Sequence, residues 1–323
     1  MIPIDDTDLI EARRLNLQLA KAPRFHIRNR LTPVLIQTLL SLSQTGSDRR
    51  VRRQGVRVHD RTVSSAGESV RLRVMRGDRP ARGVVLDFHG GGWVIDNARM
   101  NDPRNAAMVQ ACDVVVVSVD YRLAGRTPVE GLMRDCLAGA RWLLEGGLDE
   151  GRDLPVIVMG ESAGGHLAAA TLLGLKSSPE LLGRVVGAVL YYGVYDLAGT
   201  ESVRRAEKDT LVLYGPGIAP GLRMLTPGLT DEERRKPPLS PLYGDLRGLP
   251  PALMIVGERD ALLDDTVAMA GRWAEAGRAE LHRLPEAPHG FLHFPTTMAA
   301  KTMEATHIWI RERLKAARAT APR

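Results

Sequence analysis

The chain has 323 residues, 44% hydrophobic and 25% charged, which excludes disordered and fibrous classes and leaves ample material for a buried core. Its two cysteines, Cys112 and Cys136, are too few for a disulfide scaffold or a cysteine-rich metal site, so a reduced, cytoplasmic setting is expected. The net charge of +6 is uneven, because residues 1–80 hold 16 Lys/Arg against 8 Asp/Glu and the remainder holds 28 against 30.

The N-terminus, Met1 to Asp8, is acidic where a secretory leader would be basic. No stretch approaches the roughly 18 uninterrupted apolar residues of a membrane span, so no stable membrane association is expected. Residues 1–50 read as helical, with Leu9, Ile10, Leu15, Leu17 and Leu19 in one segment and Leu31, Val34, Leu35, Leu39 and Leu40 in the next. The basic excess peaks just after them, at Arg49, Arg50, Arg52, Arg53 and Arg57. That run has neither interleaved aromatics for base stacking nor zinc-ligand spacing, so it reads as a solvated face and no nucleic-acid partner is expected.

From about residue 51 the pattern changes to short β-rich runs at 55–61, 69–76, 83–89, 113–119, 154–159, 186–192, 252–257 and 279–284, eight strands in all. The later runs are nearly continuous in apolar residues, as in strands buried on both faces, and helical stretches at about 103–112, 129–147, 163–175, 262–276 and 297–317 separate them. Alternation of this kind predicts a mostly parallel sheet flanked by helices, an α/β fold. Between 193 and 250 the strand pattern stops in a proline-containing excursion, read as one or two surface helices inserted between strands rather than a separate domain. The last strand would be an open edge, available for homodimer pairing.

The pentapeptide Gly160-Glu161-Ser162-Ala163-Gly164 follows a buried strand directly and opens a helix. That is the context of a nucleophile elbow, a sharp strand-to-helix turn that projects a serine Oγ above the sheet. His89-Gly90-Gly91-Gly92-Trp93 also follows a buried strand directly; three glycines without Cβ atoms let backbone N–H groups approach a developing negative charge. A serine elbow requires an acid and then a histidine further along. Asp260, just past the strand ending Val256-Gly257, and His289, in a glycine-containing loop, satisfy that order. Glu258, Asp264 and Asp265 are competing acids, the last two better placed to complement the first turn of a helix, and His282 and His293 are competing histidines.

Together HGGGW, Asp120-Tyr121-Arg122-Leu123-Ala124, GESAGG, the run from Ser240-Pro241-Leu242-Tyr243 to GERDALLDD, and His289-Gly290-Phe291 resemble the hormone-sensitive-lipase-like esterases of the α/β-hydrolase superfamily over about residues 50–315. The resemblance implies an α/β-hydrolase fold, an eight-stranded mostly parallel sheet in residues 51–323, with residues 1–50 as an N-terminal helical cap to which the 193–250 insertion contributes. It implies Ser162 as nucleophile, His289 as base, Asp260 as orienting acid, and the N–H groups of Gly90, Gly91 and Ala163 as the oxyanion hole. His89, Asp120, Tyr121 and Arg122 would be structural, and Trp93 would line the substrate pocket or simply pack. Glu161 stands where many members carry Asp, and Gly125 where many carry Pro; neither change touches the catalytic set.

The expected activity is hydrolysis of a small-molecule ester through an acyl-enzyme, with no metal or organic cofactor. The scattered Leu and Ile of residues 1–50 suggest a closed apolar pocket and so short or medium acyl chains. Amide hydrolysis would use the same constellation, and a non-catalytic ligand receptor on the same fold would be expected to have lost a triad member.

Overall fold

The computed structural model describes residues 2–26, 31–65, 67–125 and 127–320. The chain opens with helices α1 (Asp6–Leu19), α2 (Leu31–Ser43) and α3 (Ser47–Arg53). Residues 27–30, which the sequence pattern also reads as helical, lie outside the described residues. There follow β1 (Arg57–Ser65), β2 (Glu68–Arg76), β3 (Gly83–Phe88), α4 (Asp102–Cys112), β4 (Val114–Asp120), α5 (Val129–Trp142), β5 (Val156–Glu161), α6 (Ala163–Leu175), α7 (Pro179–Leu182) and β6 (Val185–Tyr191). The rest comprises α8 (Glu201–Arg204), α9 (Gly215–Leu225), α10 (Asp231–Arg234), β7 (Ala252–Gly257), α11 (Leu263–Ala276), β8 (Ala279–Leu284) and α12 (Thr297–Thr320).

The strands form one eight-stranded sheet in the order β1-β2-β4-β3-β5-β6-β7-β8. β2 pairs antiparallel with both β1 and β4, and every other pairing is parallel. Alternate residues feed two cores on opposite faces. Val84, Leu86 and Phe88 of β3 join Val158, Leu190 and Met254 under α5, α6 and α11, while Val85 joins Ile157, Met159 and Val189 under α4 and α12. Burial on both faces is why these strands read as continuous apolar runs. β8 lies at the edge and most of its residues are only partly buried or exposed, consistent with its weaker hydrophobic signal.

The order of connection decides where a site can form. From β3 the chain crosses by α4 to β4 on one side, then by α5 to β5 on the other, so β3 and β5 are neighbours whose connections leave in opposite directions. Ligand sites of open α/β sheets lie at such a switch point, beyond the strands' carboxyl ends. Here those ends are in register, Phe88 opposite Gly160. His89-Gly90-Gly91-Gly92 and Ser162 therefore emerge side by side.

The helical stretch expected to run to about 147 does so: α5 gives way after Trp142 to a π-helical turn, Leu143–Gly147, with a left-handed Gly146 (φ 90°) near its end. Two expectations change. The 193–250 excursion holds three short helices, not one or two, and is not purely a surface feature: Tyr195, Leu197, Val203, Leu222, Leu239 and Leu242 are buried in the main core. The leucines of α2 do not form an apolar lining, since Val34, Leu35, Leu39 and Leu42 are 55–66% exposed. The side turned towards the protein is mixed, with Ile36, Gln37 and Leu40 partly buried, and Gln37 and Gln44, just past the helix, are hydrogen-bonded to Asp96.

The N-terminal segment is anchored by charge. Arg73 of β2 is only 2% exposed, and its guanidinium donates at 2.8 Å to Asp102 of α4, at 2.8 Å to Asp60 of β1 and at 2.7 Å to Asp48 of α3. Ser47 also donates to Asp102, and Arg99 pairs with Asp48 and Asp60. Removing one partner from a buried pair leaves the other uncompensated, at a cost of about 3–5 kcal/mol. Arg73→Met is expected to destabilise the fold on that scale, because the buried Asp102 would lose its charge partner. A shift in denaturation midpoint equivalent to less than about 1 kcal/mol would show that the cluster is not what anchors α3.

Candidate active site

Ser162 sits between β5 and α6 with φ 52° and ψ −121°, a left-handed backbone that a side-chain-bearing residue rarely adopts. Its N–H is held by Tyr191 O at 2.9 Å. The turn is sharp enough that α6 meets the end of β3: a Cβ on Gly164 would lie 2.0 Å from Phe88 O, so no larger residue fits. The serine Oγ lies 3.0 Å from His289 Nε2. His289 Nδ1 in turn lies 2.9 Å and 3.1 Å from the two carboxylate oxygens of Asp260, and Asp260 Oδ1 also accepts the Leu262 N–H at 2.8 Å. His289 is 6% and Asp260 4% exposed.

The competing groups lie elsewhere. Glu258 is exposed and pairs with Arg283, Asp264 and Asp265 occupy the first turn of α11, and His282 lies on β8. Asp265 accepts the Tyr195 and Asp196 N–H groups, fastening the insertion to α11.

The glycine loop stands beside the serine, the Cβ position of Gly90 being 3.6 Å from Ser162 Cβ. Gly91 has φ 96°, and a Cβ there would lie 2.4 Å from Ile95 O. Among the described residues, no hydrogen-bond partner occupies the N–H groups of Gly90, Gly91 or Ala163. His89 is buried under this loop, stacked on Tyr121 at 4.1 Å, and Tyr121 Oη donates to His89 O at 2.7 Å. Asp120 accepts the Ala98 N–H, and the Arg122 guanidinium is bidentate on Asp135, so the whole DYR segment is used in packing.

The α/β-hydrolase fold family matches residues 85–293. The chain belongs to that family. Carboxylesterase NlhH of Mycobacterium tuberculosis is 33% identical to it over 265 residues, 78% of this chain and 80% of NlhH. Among solved structures, the Pyrobaculum calidifontis esterase superposes with a TM-score of 0.80 at 25% identity, over 96% of this chain and 99% of that one. A hormone-sensitive lipase from a metagenome library superposes with a TM-score of 0.73 at 25% identity, over 96% and 99% of the two chains. This α/β hydrolase is thus hormone-sensitive-lipase-like, and it is a carboxylic ester hydrolase.

Around Ser162, Asp260 and His289 the hydrolase carries three features whose contacts the sequence pattern did not reveal. The first is a link through His166 on α6. The Trp93 indole can only donate, so its 3.2 Å contact makes His166 Nδ1 the acceptor and leaves Nε2–H to donate to Leu239 O at 2.8 Å. The ring is therefore neutral, and burial pushes its pKa down to about 4. Trp93 itself is 4% exposed with φ 65°, so it packs against the elbow helix and its N–H is not available to a ligand.

The second is Phe25, whose ring would be 3.3 Å from a Cβ on Gly92. Its N–H donates to Val212 O at 2.7 Å, its C=O accepts the Tyr214 N–H at 3.0 Å, and Arg24 Nε reaches Thr210 O at 2.8 Å. Residues 24–26 and 210–214 are thus stitched together next to the glycine loop. The third is a buried carboxylate adjoining Ser162, Glu161, held by Arg104, Tyr192 and His293. Its partners lie 31–132 residues away, and no local pattern pairs them.

Among the described residues, no group of three or more His, Cys, Asp or Glu is arranged to hold a metal ion. No described helix is long and apolar enough to cross a membrane.

The His166 link has a thermodynamic consequence. A histidine held neutral in the fold binds fewer protons than the unfolded chain between its folded value of about 4 and its unfolded value near 6.5, so stability falls as pH drops across that window. His307 of α12, also pushed to about 4 by burial, acts in the same direction. His166→Asn is expected to flatten part of the decline in Tm between pH 6.5 and pH 4; an unchanged slope would mean that His166 is not buried as the neutral form.

Proposed function

We propose that this hydrolase cleaves short- to medium-chain acyl esters through an acyl-enzyme on Ser162, with His289 as base and Asp260 as its orienting acid. The observation that carries the reading is the continuous hydrogen-bonded chain Asp260–His289–Ser162 at 2.9 and 3.0 Å. Asp260 fixes the tautomer with the proton on Nδ1, leaving Nε2 as an acceptor aimed at the serine hydroxyl. His289 takes the Ser162 proton as Oγ attacks the ester carbonyl, and the tetrahedral intermediate collapses with that proton passing to the departing alcohol. Water then repeats the sequence on the acyl-enzyme.

The developing oxyanion is assigned to the N–H groups of Gly90, Gly91 and Ala163, the last of which opens α6 where the helix dipole also favours negative charge. Each such donor is worth about 2.7–4 kcal/mol of barrier. Trp93, through His166, acts as a support for this loop; a direct role in binding substrate is the weaker reading of that residue. The acyl-chain preference rests on the roof formed by residues 24–26 and 210–214, since Phe25 against Gly92 closes the space beside the oxyanion site. We assign the cap role to these two segments rather than to the exposed Val34, Leu35, Leu39 and Leu42 of α2. The two buried cysteines are unpaired thiols, which suits action in the cytoplasm.

Two outcomes test this. Against p-nitrophenyl esters from acetate to palmitate, activity should peak at short or medium chains and fall by about 10⁶ in kcat in Ser162→Ala. Activity surviving in that variant would remove the nucleophile, and amide cleavage without ester cleavage would make the enzyme an amidase. Gly91→Ala should cost on the order of 100-fold in kcat, because its Cβ would displace the loop from Ile95. A variant within two-fold of the parent would take Gly91 out of the oxyanion hole.

A further inference from the structure

One oxygen of Glu161, the residue immediately before Ser162, collects three donors from three elements. Arg104 Nη1 of α4 lies at 3.0 Å, Tyr192 Oη at the end of β6 at 2.7 Å, and His293 Nε2, four residues past His289, at 3.0 Å. Glu161 and Tyr192 are fully buried, while its other oxygen, Oε1, has no partner among the described residues. Burial would raise the carboxyl, but the charges of Arg104 and His293 and their hydrogen bonds outweigh it and hold it well below the usual carboxylate range. A buried ion pair of this kind seldom adds stability over a well-packed apolar core, so its geometry is the informative part.

That geometry leads to His289. The Tyr192 ring stands edge-on to the His289 ring at 5.1 Å and to Phe291 at 5.7 Å, and Tyr192 has a left-handed backbone (φ 37°) that its surroundings must hold. The Tyr192 hydroxyl and His293 are both tied to the same carboxylate oxygen. Both the wall against His289 and the turn that follows it are therefore pinned to the strand that presents Ser162.

We propose that Glu161, with Tyr192 and His293, is a positioning device that holds the His289 ring in place during hydrolysis of the acyl-enzyme. This rests on the triad reading above. During acylation His289 is held from both sides, by Asp260 and by the Ser162 hydroxyl. Once Ser162 is acylated, its Oγ no longer carries a proton and the second tether is gone. In that state Nε2 must take a proton from water while the water oxygen bonds to the acyl carbon; the carbon–Oγ bond then breaks and the proton passes to Oγ. Asp260 alone leaves the ring free to tilt about the Nδ1 contact. The Tyr192 edge and the turn pinned by His293 prevent that tilt.

The consequence is specific to one step. Slower deacylation lowers kcat and KM together and leaves kcat/KM, which reports acylation, unchanged. Tyr192→Phe keeps the ring and removes only the tether, and His293→Ala removes the other tether. With p-nitrophenyl acetate, each should lower kcat by about 10- to 100-fold, the scale of a misplaced catalytic group, with KM falling in parallel and a burst of about one equivalent of p-nitrophenolate. His293→Gln, which keeps a donor, should recover much of what His293→Ala loses. Glu161→Gln should act in the same direction, but Tyr192→Phe is the deciding variant because its packing is unchanged if Glu161→Gln fails to fold.

Either of two results overturns the proposal: kcat and KM within two-fold of the parent in both Tyr192→Phe and His293→Ala, or kcat and kcat/KM falling equally with no burst. Ser162→Ala run alongside separates the two levels of the argument. Activity retained there removes the triad and the positioning device together, whereas activity lost there with unaltered Tyr192→Phe and His293→Ala kinetics removes only the device.

Discussion

Ser162 has to hold a backbone conformation that costs about 1–3 kcal/mol for a residue with a side chain, and the fold around it is organised so that the chain cannot relax. The serine N–H is fixed to Tyr191 O on β6 and its carbonyl begins α6, which is driven against the end of β3 at Gly164. This is possible only because β3 and β5 are adjacent and in register. The same adjacency brings the glycine loop beside the elbow. One constraint of sheet topology thus accounts both for the serine's place at the end of the strands and for the glycine loop beside it.

Charges buried around this centre are balanced locally. Asp87, the penultimate residue of β3, is buried; desolvation raises its carboxyl, and Asn105 and Ser118 both supply hydrogen bonds to it. One layer further out, Arg104 joins the elbow to α4 through Glu161. Further still, Arg73 gathers three carboxylates and ties α3 to the sheet. Polar groups of this kind give little net stability but penalise alternative packings heavily, and here they join the N-terminal helices, the sheet and the His289 turn.

The strands, the strand-to-helix turn at Ser162 and the pairing of Ser162, Asp260 and His289 were legible because each leaves a local mark. A six- or seven-residue apolar run such as Val114–Val119 has no other stable home than a doubly covered sheet, and glycines on both sides of Ser162 have few other uses. The roles of Glu161, His166 and Phe25 were not legible, because each depends on a partner brought near by topology: Tyr192 and His293 for Glu161, Trp93 and Leu239 for His166, and Val212 and Tyr214 for Phe25. The leucines of α2 misled for a related reason. A hydrophobic helix pattern identifies an apolar side but not which side faces the protein, and here Gln37 and Gln44 are bound inward to Asp96 while Val34, Leu35, Leu39 and Leu42 face out.

The central claim is that one serine, made nucleophilic by His289 and exposed by the elbow, forms a covalent bond to the substrate carbonyl. The most direct measurement is intact-mass analysis and peptide mapping after treatment with a fluorophosphonate, which reacts with activated serines. The account predicts a single stoichiometric adduct on Ser162 that is abolished in Ser162→Ala and formed much more slowly in His289→Ala. No adduct, or an adduct at another residue, would contradict it.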